Sequence, residues 1–176
     1  MKKTLLLVAV IATALLTSCK EDNYFCLSDA VILSDSSESE AVRNAALSLR
    51  GDITAVTGKP APKSQHKRII IGTVRGSYYI RNMAAAGLID ISVLKGMPGQ
   101  YMIQKVDERT LILAGSDARG LACGAMHLGE MIGVNQFDPE APVAHRRKAV
   151  IDGTQYVSNT ASNKYLKLVG TNGNRL

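Results

Sequence analysis

The sequence predicts an α/β (α+β) domain, a mixed β-sheet packed by helices, on three observations. Short apolar runs suited to strands alternate with longer stretches whose apolar residues recur at helical spacing, in the order β-α-β-α-β-β-α. One run, Ile69-Ile70-Ile71, is β-branched at three successive positions. A strand apolar on both sides belongs in the middle of a sheet covered on both faces. Finally, two strand-like runs, 101–106 and 110–114, are separated only by Asp107-Glu108-Arg109, a connection of hairpin length.

The chain opens on an export segment. Lys2 and Lys3 precede an apolar stretch from residue 5 to residue 16, too short to span a bilayer comfortably and followed by small residues. Residues 1–18 are read as a secretory signal peptide. Leu16-Thr17-Ser18-Cys19 resembles the bacterial lipobox. That resemblance implies a diacylated Cys19 as the mature N-terminus, with membrane lipid as its partner. Lys20-Glu21-Asp22 resembles the signal that carries Bacteroidetes lipoproteins to the cell surface. The expected location is the outer membrane, exposed at the cell surface or otherwise periplasmic, held by acyl chains without a spanning helix. Residues 19–29 are polar enough to be a lipidated tether.

The domain proper is expected over 30–137. Ala30-Val31-Ile32-Leu33 suits a buried strand, and Ser37-Glu38-Ser39-Glu40 supplies a capping box in which Glu40 reaches back. In the helix that follows, Val42, Ala46, Leu49, Ile53 and Val56 share one face. Gly58 is placed to cap it, and Pro60 and Pro62 prevent its continuation. After the triple-isoleucine strand, Ser77 caps a second helix running to about residue 86, with Ile80, Met83 and Ala84 inward and Gly87 as its stop. Residues 88–96 form a helical turn or loop, and the hairpin comes next. A third helix then spans about 118–132, burying Leu121, Ala125, Leu128 and Ile132, with Gly133 as cap. Residues 134–137 suit a last edge strand. Beyond them, 138–176 reads as a weakly structured tail, basic from 145 onward, in which only 165–169 is strand-like.

Composition narrows the function. The chain has 176 residues, 46% of them apolar and 20% charged, which is globular rather than disordered. It is too short for a complete (β/α)8 barrel, which needs about 250 residues. Aromatics make up 5% and Trp is absent, leaving few platforms for neutral sugar rings. The formal charge of +6 includes Lys2 and Lys3, so the remainder is only mildly basic and does not indicate a nucleic-acid partner. Cys26 and Cys123 are expected as unpaired thiols, Cys26 in the tether and Cys123 buried as a small hydrophobe. Cys123 and His127 are four apart on one helix, but no third or fourth ligand accompanies them, and His66 and His145 fall in polar loops. No metal and no cofactor is expected.

The most suggestive local feature is Gly115-Ser116-Asp117-Ala118-Arg119-Gly120, between a strand and a helix. Backbone amides and the helix dipole there can receive an anion or a sugar hydroxyl. The plainer alternative is that Gly115 turns the chain, Ser116 or Asp117 caps the helix and Arg119 pairs locally. The loop lacks the Gly-Lys-Ser/Thr of a P-loop and the third glycine of a dinucleotide fingerprint. No catalytic residue can be nominated. Glycoside hydrolysis needs two carboxylates roughly 5–10 Å apart, whereas Asp117 and Glu130 are separated by about 20 Å along a helix. Asp107 and Glu108 share a solvated turn, and no Gly-x-Ser-x-Gly elbow occurs.

A resemblance extends this reading. The segments VILSDSSESEAVRNAALSLRGDITAVTGKPAP, IIIGT, LIDISVLKGMPGQYMIQKVD and LILAGSDARGLACGAMHLGEMIGV resemble the N-terminal domain of glycoside hydrolase family 115, the xylan α-1,2-glucuronidases. More distantly they resemble the α/β domain that precedes the barrel in hexosaminidases and family 67 glucuronidases. Within the family, Ser116, Asp117 and Arg119 match a Gly-Ser-Asp-Lys-Arg-Gly-like loop, implying contacts to a cleft ligand or a neighbouring domain. The family follows Gly-Val with a Trp-rich cluster, whereas this chain has Asn135-Gln136-Phe137-Asp138-Pro139. The resemblance resumes weakly at Tyr156-Val157-Ser158 and Lys164-Tyr165, where a family member enters its first barrel strand. The family's catalytic carboxylates belong to that barrel, so none is carried over here. The resemblance thus implies an accessory domain, truncated or stand-alone, that takes part in glucuronoxylan degradation without catalysing alone. Two alternatives stay open: a surface lipoprotein that binds acidic glycans, and a module that docks on a separate catalytic barrel.

Overall fold

The computed structural model describes residues 24–60 and 66–135, positions 138, 142 and 143, and the backbone of strands at 150–152, 155–159 and 164–167. The signal peptide, Cys19 and Lys20-Glu21-Asp22 lie outside the described residues, as do residues 136 and 137, His145 and most of the tail.

Strand β1 (Tyr24–Cys26) and a 3-10 turn (Leu27–Asp29) lead into β2 (Ala30–Ser34), helix α1 (Glu40–Thr57) and β3 (Lys67–Thr73). Helix α2 (Tyr78–Ala85) and a second 3-10 turn (Ser92–Leu94) precede the hairpin of β4 (Tyr101–Asp107) and β5 (Thr110–Gly115). Helix α3 (Ala118–Met131) follows, then β6 (Val150–Asp152), β7 (Gln155–Asn159) and β8 (Lys164–Lys167). The main sheet has six strands in the order β2-β3-β5-β4-β7-β8. Strands β2, β3 and β5 are parallel, and β4, β7 and β8 each run antiparallel to their neighbours.

The isoleucine run sits where its composition requires. Ile69 pairs with Ile32 and Leu111, and Ile70 with Leu33 and Ile112. Because successive side chains point to opposite faces, Ile69 and Ile71 join a core with Leu111, Leu113 and the inward residues of α1 and α3. Ile70 joins a second core with Ile112, Met102, Ile80 and Leu94. The sheet is therefore covered by α1 and α3 on one face and by α2 with the segment after it on the other. Each fully buried Ile or Leu contributes about 1.5–3 kcal/mol of hydrophobic stabilisation, which is why this strand lies inside the sheet, between β2 and β5, and not at its edge.

The helices bury the faces that their spacing predicts. Val42, Ala46, Leu49, Ile53 and Val56 are all buried, as are Leu121, Ala125, Leu128 and Ile132. Gly58 ends α1 in the left-handed region at φ 63°, a conformation that only glycine adopts without steric cost. Ser77 caps α2 by accepting from the Ile80 amide.

Several expectations are corrected. The cap of α1 is Ser39, whose hydroxyl accepts from the Val42 amide, while Glu40 is exposed at the first helical position and makes no capping box. Residues 24–29, expected as tether, pair through β1 with β6 and bury Phe25 and Leu27 completely. Phe25, Cys26 and Leu27 make this stretch more apolar than the Lys20-Glu21-Asp22 before it, and their burial draws it into the core. Cys26 is buried beside Ser28, with Sγ and Oγ 3.1 Å apart, whereas Cys123 is exposed; both thiols are free. Residues 134 and 135 are not in a strand. Instead, β7 pairs with β4, placing Val157 opposite Met102, and β8 pairs with β7. The sheet thus continues into the segment that the sequence sets apart as a tail.

Candidate functional site

Parallel strands all end in the same direction, so β2, β3 and β5 deliver Ser34, Thr73 and Gly115 to one end of the sheet. Each then enters a loop that starts a helix. Because β4 is antiparallel to β5, with Tyr101 opposite Gly115, the segment leading into β4 arrives at this end too. Together these loops enclose a cleft of about 1010 Å³, walled by Glu38, Thr73, Arg75, Lys95, Met97 and Asp117 among others. Crevices at the carboxyl ends of parallel strands are the usual ligand sites of such sheets.

One wall is built around Glu38. This carboxylate is 5% exposed and accepts from both the amide and the hydroxyl of Thr73. The Thr73 hydroxyl in turn accepts from the Gly76 amide at 2.9 Å, locking the loop after β3. A Cβ at position 76 would lie 2.4 Å from the Glu38 Oε2 atom, so any larger residue there must displace the Glu38 carboxylate. Nearby, Asp35 accepts from the Ser37 amide, the Ser37 hydroxyl and the Tyr78 amide. The Ser37 bonds, and then that to Tyr78, hold its carboxyl below the usual aspartate value.

The loop singled out in the sequence forms another part of the lining. Asp117 caps α3 by accepting from the Gly120 amide at 2.7 Å, and its other oxygen accepts from the Gly99 amide at 2.9 Å. Ser116 exchanges two bonds with Gln100: its amide donates to the carbonyl and its hydroxyl accepts from the amide. Gly120 permits this contact, since a Cβ there would fall 2.1 Å from the Gln100 carbonyl oxygen. Ser116 and Asp117 therefore line the cleft while clamping the 96–100 segment to α3. Arg119 is exposed on the first turn of α3, outside the cleft lining.

Sequence reasoning did not find Glu38, Thr73, Arg75 or Lys95. One signal was present: Gly72-Thr73-Val74-Arg75-Gly76 after β3 echoes Gly115-Ser116-Asp117-Ala118-Arg119-Gly120 after β5. Both place a glycine, a hydroxyl and an Arg-Gly pair at a strand's carboxyl end.

Other candidate groups are not brought to the cleft. His127 is buried and its Nδ1 lies 3.0 Å from the Tyr101 hydroxyl. Burial lowers its pKa to about 4. Cys123, on the same helix, faces solvent instead. Glu108 is exposed and pairs with Lys105 at 2.8 Å. Asp117 and Glu130 stand near opposite ends of α3.

No family model and no curated protein matches the chain. Among solved structures, it is similar to a family GH115 4-O-methyl-α-glucuronidase, BtGH115A, with specificity for decorated arabinogalactans. That likeness has a TM-score of 0.61 at 23% identity and covers 77% of this chain and 18% of that one. CpGH84B gives a TM-score of 0.48 at 15% identity, covering 76% of this chain and 19% of its own. A Flavobacterium johnsoniae chitobiase, FjGH20, gives 0.43 at 9% identity, over 76% and 18%. The fold described above is therefore GH115-like, and the chain spans less than a fifth of the glucuronidase that shares it.

Proposed function

We propose that this chain is an accessory domain of the α-glucuronidase type, acting in the breakdown of glucuronate-bearing plant polysaccharide without hydrolytic activity of its own. The observation that carries this reading is the GH115-like fold over 77% of the chain, matched to only 18% of the glucuronidase. The cleft chemistry supports it. Its carboxylates, Glu38 and Asp117, are engaged by backbone amides and the Thr73 hydroxyl. A general acid and a nucleophile must instead face a scissile bond from two sides. The hydrolytic step then belongs to a catalytic barrel on which this domain docks. The lipobox-like Leu16-Thr17-Ser18-Cys19 supports anchoring through an acylated Cys19 in the outer membrane, with surface display through Lys20-Glu21-Asp22.

The test is incubation of the purified chain with glucuronoxylan and with decorated arabinogalactan. No release of 4-O-methylglucuronic acid is expected, and measurable release by a clean preparation overturns the accessory role. Anchoring is tested separately by metabolic labelling with palmitate, which Cys19→Ser should abolish.

A further inference from the structure

We propose that the cleft at the carboxyl ends of β2, β3 and β5 is a binding site for an acidic sugar, a carboxylate-bearing ring within an oligosaccharide, held through Arg75 and Lys95. The inference rests on the accessory, carbohydrate-directed reading above and names the site and the ligand class. Its first support is the state of the charged groups. Both carboxylates of the lining are spoken for: Glu38 by Thr73, and Asp117 by the amides of Gly99 and Gly120. The cations are not. Arg75 and Lys95 are exposed at the cleft and form no ion pair within 4 Å among the described residues. Lys95 feels the field of Asp90, but that carboxylate is held chiefly by Ser92. The cleft lining therefore offers a ligand carboxylate two cations, with no competing acid within ion-pair distance of either among the described residues.

The rest of the wall suits a polyhydroxylated ring. Ser37, Ser39 and Thr73 contribute hydroxyls. Asp117, half-buried, keeps acceptor capacity for a sugar hydroxyl beyond its two amide bonds, because a carboxylate offers about four lone-pair sites. Met97 and Pro98 add apolar surface without an aromatic platform, so charge rather than ring stacking sets the preference. A volume of about 1010 Å³ lies at the upper end of small-molecule sites and admits several linked sugars. Arg119 stands outside this lining, so the guanidinium singled out in the sequence is replaced in this role by Arg75.

The experiment is calorimetric titration of the full chain with a glucuronate-bearing xylo-oligosaccharide and with the same oligosaccharide lacking the acid. Saturable binding of the acidic form is expected, weakened by added salt and roughly tenfold tighter than the neutral form, as loss of a charge-assisted contact implies. Arg75→Met and Lys95→Met should each weaken it about fivefold to tenfold, with unchanged circular dichroism because both side chains are exposed. Arg119→Met should leave it unaltered. Equal affinity for the two oligosaccharides overturns the assignment of an acidic ligand. Acid-selective binding that survives both Arg75→Met and Lys95→Met places the site elsewhere and overturns the assignment to this cleft. Flat titrations at millimolar ligand overturn the site altogether. None of these outcomes touches the accessory reading, which stands or falls on glucuronate release.

Discussion

Gly120→Ala tests the clamp that shapes the cleft. Alanine is ordinarily better than glycine inside a helix by about 1 kcal/mol, so propensity alone predicts stabilisation. Tertiary contact reverses the sign. The added Cβ would stand 2.1 Å from the Gln100 carbonyl oxygen, and also within 3 Å of the carbonyl carbon and amide nitrogen. All three are backbone atoms, which cannot rotate aside, so the 99–100 segment must retreat from α3. Retreat strains three hydrogen bonds: Gly99 amide to Asp117, Gln100 amide to Ser116, and Ser116 amide to Gln100. At a net of about 1 kcal/mol each, their loss costs about 3 kcal/mol, and the helical gain leaves a destabilisation of about 2 kcal/mol. Gly51→Ala is the matched control, because Gly51 lies in α1 with nothing within 4 Å of the new methyl. It should stabilise by about 0.5–1 kcal/mol. Urea unfolding of both variants is the assay, with midpoints shifting in opposite directions at an unchanged slope. A Gly120→Ala protein as stable as the parent refutes the close approach of α3 to Gln100.

Other perturbations probe the remaining structure. Because the folded pKa of His127 is lowered to about 4 from 6.5, the unfolded chain binds the extra proton between those values. Its contribution to stability is complete above pH 6.5 and is lost as pH falls towards 4. Stability should therefore rise with pH over that window, and His127→Gln should flatten the rise. Glu38→Gln places an amide group against the Thr73 donors and should cost about 1–3 kcal/mol in denaturant unfolding, while an unchanged midpoint would argue against the buried contact. Cys123 should react promptly with a thiol reagent in the native protein and Cys26 only after unfolding; the reverse order would refute the placement of both thiols.

Much of this fold is legible in the residues, for local reasons. The inward faces of α1 and α3 follow from apolar spacing, and the interior position of β3, covered on both faces, follows from three β-branched residues in a row. Ser77 and Gly58 mark helix ends through hydroxyl acceptance and a positive φ, both properties of the residue itself. The cap of α1 shows where local reasoning fails. Ser37-Glu38-Ser39-Glu40 offers two serines and two glutamates in alternation, and Thr73, 35 residues away from Glu38, decides between them. The cleft was half visible for the same reason. Ser116 and Asp117 stand in a recognisable loop, but Arg75 and Lys95 reach the same cavity only through the order of the strands.

By itself, then, the sequence determined which segments are strands and helices over most of residues 30–132 and which of their faces are apolar, because those depend on neighbours within a turn or two. It also carried a resemblance whose fold the tertiary comparison supports at a TM-score of 0.61. Only the tertiary structure decided that β5 lies between β3 and β4, that Phe25 and Leu27 belong to the core, and that β7 extends the sheet. It likewise decided which of His127 and Cys123 is buried. The physical reason is common to all four. Each depends on what lies across a sheet or beneath a helix, at sequence separations where no local pattern carries information.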